Sequence, residues 1–278
     1  KLKIKVSPIT RTASVDTALF LQEMGADIVA VEQLLQRDFQ ALKVIARDSP
    51  VPIILDATDG TLRGSPSYGN FDYAWTNAVQ SSDREELTDY RELARTYNPA
   101  FDDWYKVKNP AELIRCNFIR PEDLHYYEEL GIENFKLDVA IYTTEHIVNC
   151  AEAYAGRQFL DSTIELANLF YSGHDYRVEQ IEGPLRSSRI LPPDPPPQIT
   201  RFFQLMDNKR FVSEMVRVEN PALEGYLKHV LDGECKVVDC QACLRHAGMA
   251  VTMEEDMREL FTRVHQEYRD CLTSGAYL

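Results

Sequence analysis

Apolar residues fall along the first half of the chain in two alternating patterns. Lys3-Ile-Lys-Val6 alternates polar and apolar positions, which predicts a short strand ending at Ser7-Pro8. Val15 to Met24 carries apolar residues at helical spacing, and Gly25 stands where a helix end is capped. Asp27 to Glu32 reads as a buried strand. Gln33 to Arg47 reads as a helix with Leu34, Phe39, Leu42 and Ile45 turned inward, and Val51 to Asp56 as the next strand. Strand and helix alternating across short links is the pattern of a parallel sheet with right-handed crossovers.

The pattern then loosens. Gly60 to Tyr73 is a long loop rich in Gly, Ser, Asn and Tyr, and Ser82 to Tyr97 reads as a charged surface helix. Leu113 to Asn117 predicts a fourth strand and Asn134 to Asp138 a fifth. Between them Pro121 opens a helix that runs to Leu130 and stops at Gly131. Thr144 to Arg157 and Asp161 to Tyr171 read as helices. Five prolines within 191–197 make a stiff connector. The expected division is therefore a βα region over 1–190, a proline-rich connector over 191–200 and a C-terminal region over 201–278. That last region holds helices at Pro221 to Leu231 and Glu254 to Leu272, with three cysteines between them.

Charge and cysteine usage narrow the chemistry. The 278 residues carry a formal charge of −14, which repels nucleic acid and anionic lipid, and no basic run overrides it. The longest apolar runs are strand-sized, too short to span a membrane, and no signal-peptide pattern opens the sequence. Six cysteines, three of them clustered, point to metal binding in a reducing compartment, so a cytoplasmic protein is expected.

The cluster is Cys235-Lys-Val-Val-Asp-Cys240-Gln-Ala-Cys243, a C-x4-C-x2-C spacing that lets a folded-back loop aim three sulfurs at one point. Thiolates suit iron–sulfur clusters and zinc, and both usually take four protein ligands. Two residues compete for the fourth place: His246 nearby, which favours zinc, and Cys116, at the end of the expected fourth strand, which favours a cluster. Cys150 and Cys271 lie on apolar helical faces and read as core. The carboxyl ends of strands form the active-site face of parallel α/β folds. Glu32, Asp56 and Asp138 stand at such ends, and Lys136 lies within the last strand.

The stretch Ile119-Arg-Pro-Glu-Asp-Leu, a helix, and then Gly131-Ile-Glu-Asn-Phe-Lys-Leu resembles the collagenase-like peptidase family U-32, which carries I-R-P-E-D-L and G-I-x-x-F-K-I. Thr144-Glu-His-Ile, Ala153-Tyr154, Arg157 and Glu219-Asn-Pro-Ala-Leu-Glu-Gly-Tyr extend the likeness. The resemblance implies a (βα)8-type barrel with a cysteine-bound iron–sulfur cluster, expected as 4Fe-4S, near its mouth. Cys116, Cys235, Cys240 and Cys243 would hold the cluster. Arg120, Lys136, Asp138 and Glu32 would bind or protonate a small-molecule or peptide substrate. It also implies oxygen-independent hydroxylation or a related modification, or metal-dependent peptide hydrolysis.

The chain departs from the family at several places. Gly60-Thr-Leu-Arg-Gly-Ser-Pro-Ser-Tyr68 replaces a two-cysteine stretch, Glu32-Gln33 replaces a basic–acidic pair, and Ala140 replaces an arginine. These departures favour a further alternative, a non-catalytic partner subunit of a heteromer. Five strands fall short of the eight of a closed barrel. A partner chain or a missing N-terminal segment is expected to complete the barrel at the Lys3 to Val6 edge.

Overall fold

A computed structural model describes residues 2–63, 65, 100–137, 143–167, 169–170, 195–208, 210–232 and 240–274. It is an α/β fold, mostly helical, built on one parallel sheet. The strands are β1 (Lys5–Val6), β2 (Ile28–Ala30), β3 (Ile53–Asp56) and β4 (Asn134–Lys136). Their order in the sheet is β1-β2-β3-β4, with Val6 beside Val29, Ala30 beside Ile54 and Asp56 beside Lys136. Strand order thus follows chain order, without the reversal that marks a doubly wound sheet. A second, two-stranded antiparallel ribbon pairs β5 (Val216–Val218) with β6 (Val251–Met253).

Local chemistry accounts for the first elements. Ser14 caps helix Val15–Glu23 by accepting from the Thr17 amide, and Gly25 takes φ 101°, which a side chain would resist. The expected helix Gln33 to Arg47 is broken instead. A 3-10 turn covers Gln33–Leu35, and Asp38 caps a fresh helix, Phe39–Asp48, by accepting from the Ala41 amide at 3.0 Å. Phe39, Leu42 and Ile45 face the core as the periodicity predicts. The break turns Gln36 and Arg37 into the interior.

Two expectations are corrected. Leu113 to Asn117 is not a strand: Ala111–Arg115 is helical, led by Pro110 and braced by a Glu112–Arg115 ion pair one turn apart. A short apolar run cannot tell a buried strand from a buried helix. The described residues therefore hold four parallel strands and not five, and four do not close a barrel. Asp161 to Tyr171 is not a long helix either; among its described residues only Thr163–Glu165 forms a 3-10 turn. The expected helix Ser82 to Tyr97 and positions 191–194 of the proline connector lie outside the described residues, and from Pro197 the connector is already helical, as the start of helix Pro197–Asp207.

Buried side chains link the elements over long sequence distances. The Tyr154 hydroxyl shares its one proton between the carbonyls of Ala57 (3.0 Å) and Ile119 (2.7 Å), joining helix Thr144–Gly156 to the carboxyl end of β3. Arg120 donates from Nε to Asn220 Oδ1 at 2.9 Å and from Nη1 to the Leu223 carbonyl at 2.6 Å. The two segments that carry the family resemblance, around 120 and 220, thus meet in the interior. One apolar cluster gathers Leu113, Ile114, Cys116, Tyr226, Cys240, Cys243 and Phe261. Another, of Phe202, Phe203, Val264, Tyr268 and Cys271, forms where helix Pro197–Asp207 packs on the C-terminal helix Glu255–Thr273.

Candidate metal centre

Two short helices build the site. Asn220–Leu223 forms a 3-10 turn, Gly225 reverses the backbone at φ 74°, and helix Tyr226–Leu231 follows. That helix carries His229. Helix Gln241–Ala250 begins with Cys240 as its N-cap and places Cys243 one turn on, so the i,i+3 spacing puts both sulfurs on one face. Both cysteines are buried and His229 is partly buried.

His229 Nε2 lies 3.8 Å from Cys243 Sγ and 4.0 Å from Cys240 Sγ, and the three donor atoms lie within 4.8 Å of one another. These contacts are long for hydrogen bonds. They are close to what one tetrahedral ion needs: Zn–S of about 2.3 Å and Zn–N of about 2.0 Å separate the two donors by about 3.6 Å. A cubane gives each thiolate its own iron and asks for a wider spread. Soft sulfur and imidazole donors together fit zinc, iron or copper and not a hard cation. Among the described residues, this His–Cys–Cys group can bind a metal ion, and the donor set alone leaves the metal's identity open.

The expected ligands fall out as follows. Cys240 and Cys243 come together, and Cys235 lies outside the described residues. The histidine that meets the sulfurs is His229, not His246. The His246 ring stacks on that of His229, centroids 5.9 Å apart, with its pKa lowered by burial and then by neighbouring His229. His229 was legible only as a histidine one helix upstream of the cysteines. Nothing in a C-x4-C-x2-C spacing points to it. Cys116 follows a helix rather than ending a strand. It is fully buried, its thiol donates to the Glu112 carbonyl at 3.2 Å, and it is not one of the three gathered donors. Burial pushes the Cys116 thiol up to about 11, against the pull of Lys106 and Arg37.

At the carboxyl end of the sheet Lys136 pairs with Asp56 at 3.1 Å. Asp138, two residues on, lies outside the described residues. Glu32 is partly exposed just past β2, its amide held by the Thr12 carbonyl at 2.9 Å. Arg120 is buried, bonded to Asn220 and Leu223 and flanked by Glu122 and Asp123 at 3.4 and 3.7 Å. Deeper at the same end, buried Lys106 donates to the carbonyls of Gly60 (2.8 Å) and Leu169 (2.7 Å). Asp59 beside it accepts from the Thr61 amide, and burial raises its pKa.

A second cysteine–histidine contact is chemically quiet. Cys150 Sγ lies 3.2 Å from His146 Nε2, on successive turns of one helix. Burial pushes the thiol up to about 11 and the imidazole down to about 4. Both stay neutral near pH 7, the opposite of a thiolate–imidazolium nucleophile.

The chain is 25% identical over 187 residues to an uncharacterized protease of Methanocaldococcus jannaschii; the match takes in 61% of this chain and 51% of that protein. The chain thus spans about half the length of the curated relative it matches. No family model and no solved structure matches it. No helix among the described residues is long and apolar enough to cross a membrane.

Proposed function

We propose that the chain is a metal-dependent enzyme, or the metal-carrying subunit of one, that hydrolyses peptide bonds, with His229, Cys240 and Cys243 as metal ligands. The convergence of one imidazole nitrogen and two sulfurs carries this reading. The protease name of the M. jannaschii relative supports its peptide half. Three protein donors leave one position for water or for Cys235. A metal ion with one open position supplies a water nucleophile near neutral pH. The strand-end groups Lys136 and Asp56, with Asp138 and Glu32, are the candidates to hold substrate charge. Arg120, bound to Asn220 and Leu223, is the brace between the two halves of the site's support. A strand from a partner chain would join at β1, which has a neighbour on one side only among the described strands.

A second reading is favoured by the third thiol, Cys235, and by Cys116, which shares an apolar cluster with Cys240 and Cys243. In it the four cysteines hold an iron–sulfur cluster that serves oxygen-independent hydroxylation. The deciding experiment is anaerobic purification with iron, zinc and acid-labile sulfide analysis, alongside casein and gelatin turnover before and after metal removal and restoration. One metal ion without sulfide, and turnover that follows it, supports the first reading. Iron with equal sulfide sinks the first in favour of the second. Metal content unchanged by Cys240→Ser refutes both.

A further inference from the structure

Arg37 is 6% exposed and makes no ion pair among the described residues; the Asp123 carboxylate acts on it only from beyond ion-pair distance and is itself paired with Arg120. Its Nη1 donates to the Ile114 carbonyl at 2.9 Å and to the Tyr226 hydroxyl at 3.0 Å, and its Nη2 to the Phe118 carbonyl at 3.3 Å. The guanidinium carbon lies 5.6 Å from the Phe118 ring centroid and 5.3 Å from that of Tyr226. Neutral oxygens and ring faces thus hold a full positive charge in the interior. A buried charge is costly unless an opposite charge lies near. The next group along the chain of contacts is a metal ligand: the Tyr226 hydroxyl stands 3.7 Å from Cys243 Sγ.

We propose that Arg37 and Tyr226 are positioning residues of the metal centre. The Tyr226 hydroxyl accepts from Arg37 and gives its own proton as a hydrogen bond to the Cys243 sulfur, so the buried guanidinium polarises the hydroxyl that orients the thiolate. This inference rests on the metal reading above. The chemistry fits: a guanidinium bonded to the hydroxyl oxygen polarises the O–H and makes it a stronger donor to a thiolate. The topology fits as well. Arg37 reaches inward because the helix expected over Gln33 to Arg47 breaks at Asp38. Tyr226 opens the same helix that carries His229, and its ring meets the rings of His229 and His246 at 5.1 and 5.4 Å. One residue from the first third of the chain is thereby tied to a site built by the last third.

Outer partners of this kind change metal affinity by roughly ten- to a hundredfold. A hydrogen bond to a thiolate also lowers the energy of its lone pairs, so losing it moves sulfur-to-metal charge transfer to longer wavelength. The test is anaerobic titration of the full chain with cobalt(II) alone, reading affinity and the sulfur-to-cobalt band. Tyr226→Phe removes a single oxygen. It should keep the parent's stoichiometry, weaken cobalt binding about tenfold and shift the band to longer wavelength. Arg37→Lys, which keeps the charge, should stay nearer the parent than Arg37→Met. A purely structural tyrosine would lower the thermal midpoint of the metal-free protein and leave the cobalt band where it was. That outcome, or a Tyr226→Phe protein with the parent's affinity and band, overturns the inference and spares the metal reading. A parent that shows no sulfur-to-cobalt band overturns the metal reading, and this inference with it.

Discussion

His265 is expected to make the C-terminal helix acid-sensitive. The imidazole is fully buried. Its Nδ1–H donates to the Phe261 carbonyl at 2.9 Å, which sets the neutral tautomer, and Nε2 has no partner among the described residues. The ring stacks on Phe261 at 3.8 Å and meets the edge of Phe202 at 5.1 Å, and the Arg269 guanidinium adds like-charge repulsion. Burial first, and Arg269 after it, push the pKa down to about 3 from the ordinary 6.5. The sign follows from linkage. The unfolded chain takes up the proton near 6.5 and the folded chain does not, so stability is full above that pH and is lost as pH falls toward 3. Each pH unit in that window costs about 1.4 kcal/mol, so at pH 4.5 the loss is on the order of 2 to 3 kcal/mol. His265→Leu removes the titration and one hydrogen bond, a cost of about 1 kcal/mol at pH 7.5. The variant should therefore be slightly weaker than the parent at pH 7.5 and clearly stronger at pH 4.5. Urea midpoints of metal-free protein, followed by fluorescence from pH 4.5 to 7.5, measure the difference. His146, lowered to about 4, titrates in both proteins and cancels. Parallel stability curves for parent and variant would show that His265 ionises normally in the fold, and the burial argument would fail.

Three further outcomes are expected. Asn220→Ala deletes the acceptor of Arg120 Nε and the donor to Glu122 (3.0 Å) and the Phe159 carbonyl (2.7 Å), leaving a buried guanidinium donor unmatched. Unfolding should become easier by about 3 kcal/mol in urea titrations. Cys150, with its thiol pushed up to about 11, should resist iodoacetamide at pH 7.5 in the folded protein and react on unfolding, as peptide mass mapping would reveal. Cys243→Ser should remove the bound metal, while Cys271→Ala, on the far apolar cluster, should leave metal content intact and cost roughly 1 kcal/mol of stability.

Elements with their own caps and periodicity were legible in the sequence. Gly25 ends the first helix by backbone preference, which acts without tertiary context, and Phe39, Leu42 and Ile45 face the core as their spacing dictates. Cys271 could be sorted in the same way, because Phe261, Val264 and Tyr268 share its helical face and are buried with it. Ala111–Arg115 was not legible. Leu113 and Ile114 are both fully buried, so adjacent apolar positions point inward, and such a run has no period to read. The break at Asp38 was missed for a related reason. Gln36 and Arg37 look like a solvent face in a helical window, and only the packed interior supplies Arg37 with the Ile114 and Phe118 carbonyls.

The site divides along the same line. Cys240 and Cys243 announce themselves by their close spacing, although the helix that carries them, Gln241–Ala250, stands where a loop was expected. His229 does not, since its approach depends on how helix Tyr226–Leu231 packs against Gln241–Ala250, and that packing is fixed by distant contacts. Asn220 holds the turn before His229 and is itself held by Arg120, a hundred residues earlier. Arg37, earlier still, is bonded to the hydroxyl of Tyr226. A pattern search finds ligands that are neighbours in sequence. It does not find a buried guanidinium such as that of Arg37, which is stable only where a folded interior has already gathered its acceptors. The motif-like segments around 120 and 220 therefore make better sense as supports of the site than as its reactive groups. Arg120 and Asn220 brace the turn that leads into helix Tyr226–Leu231, the helix that carries His229.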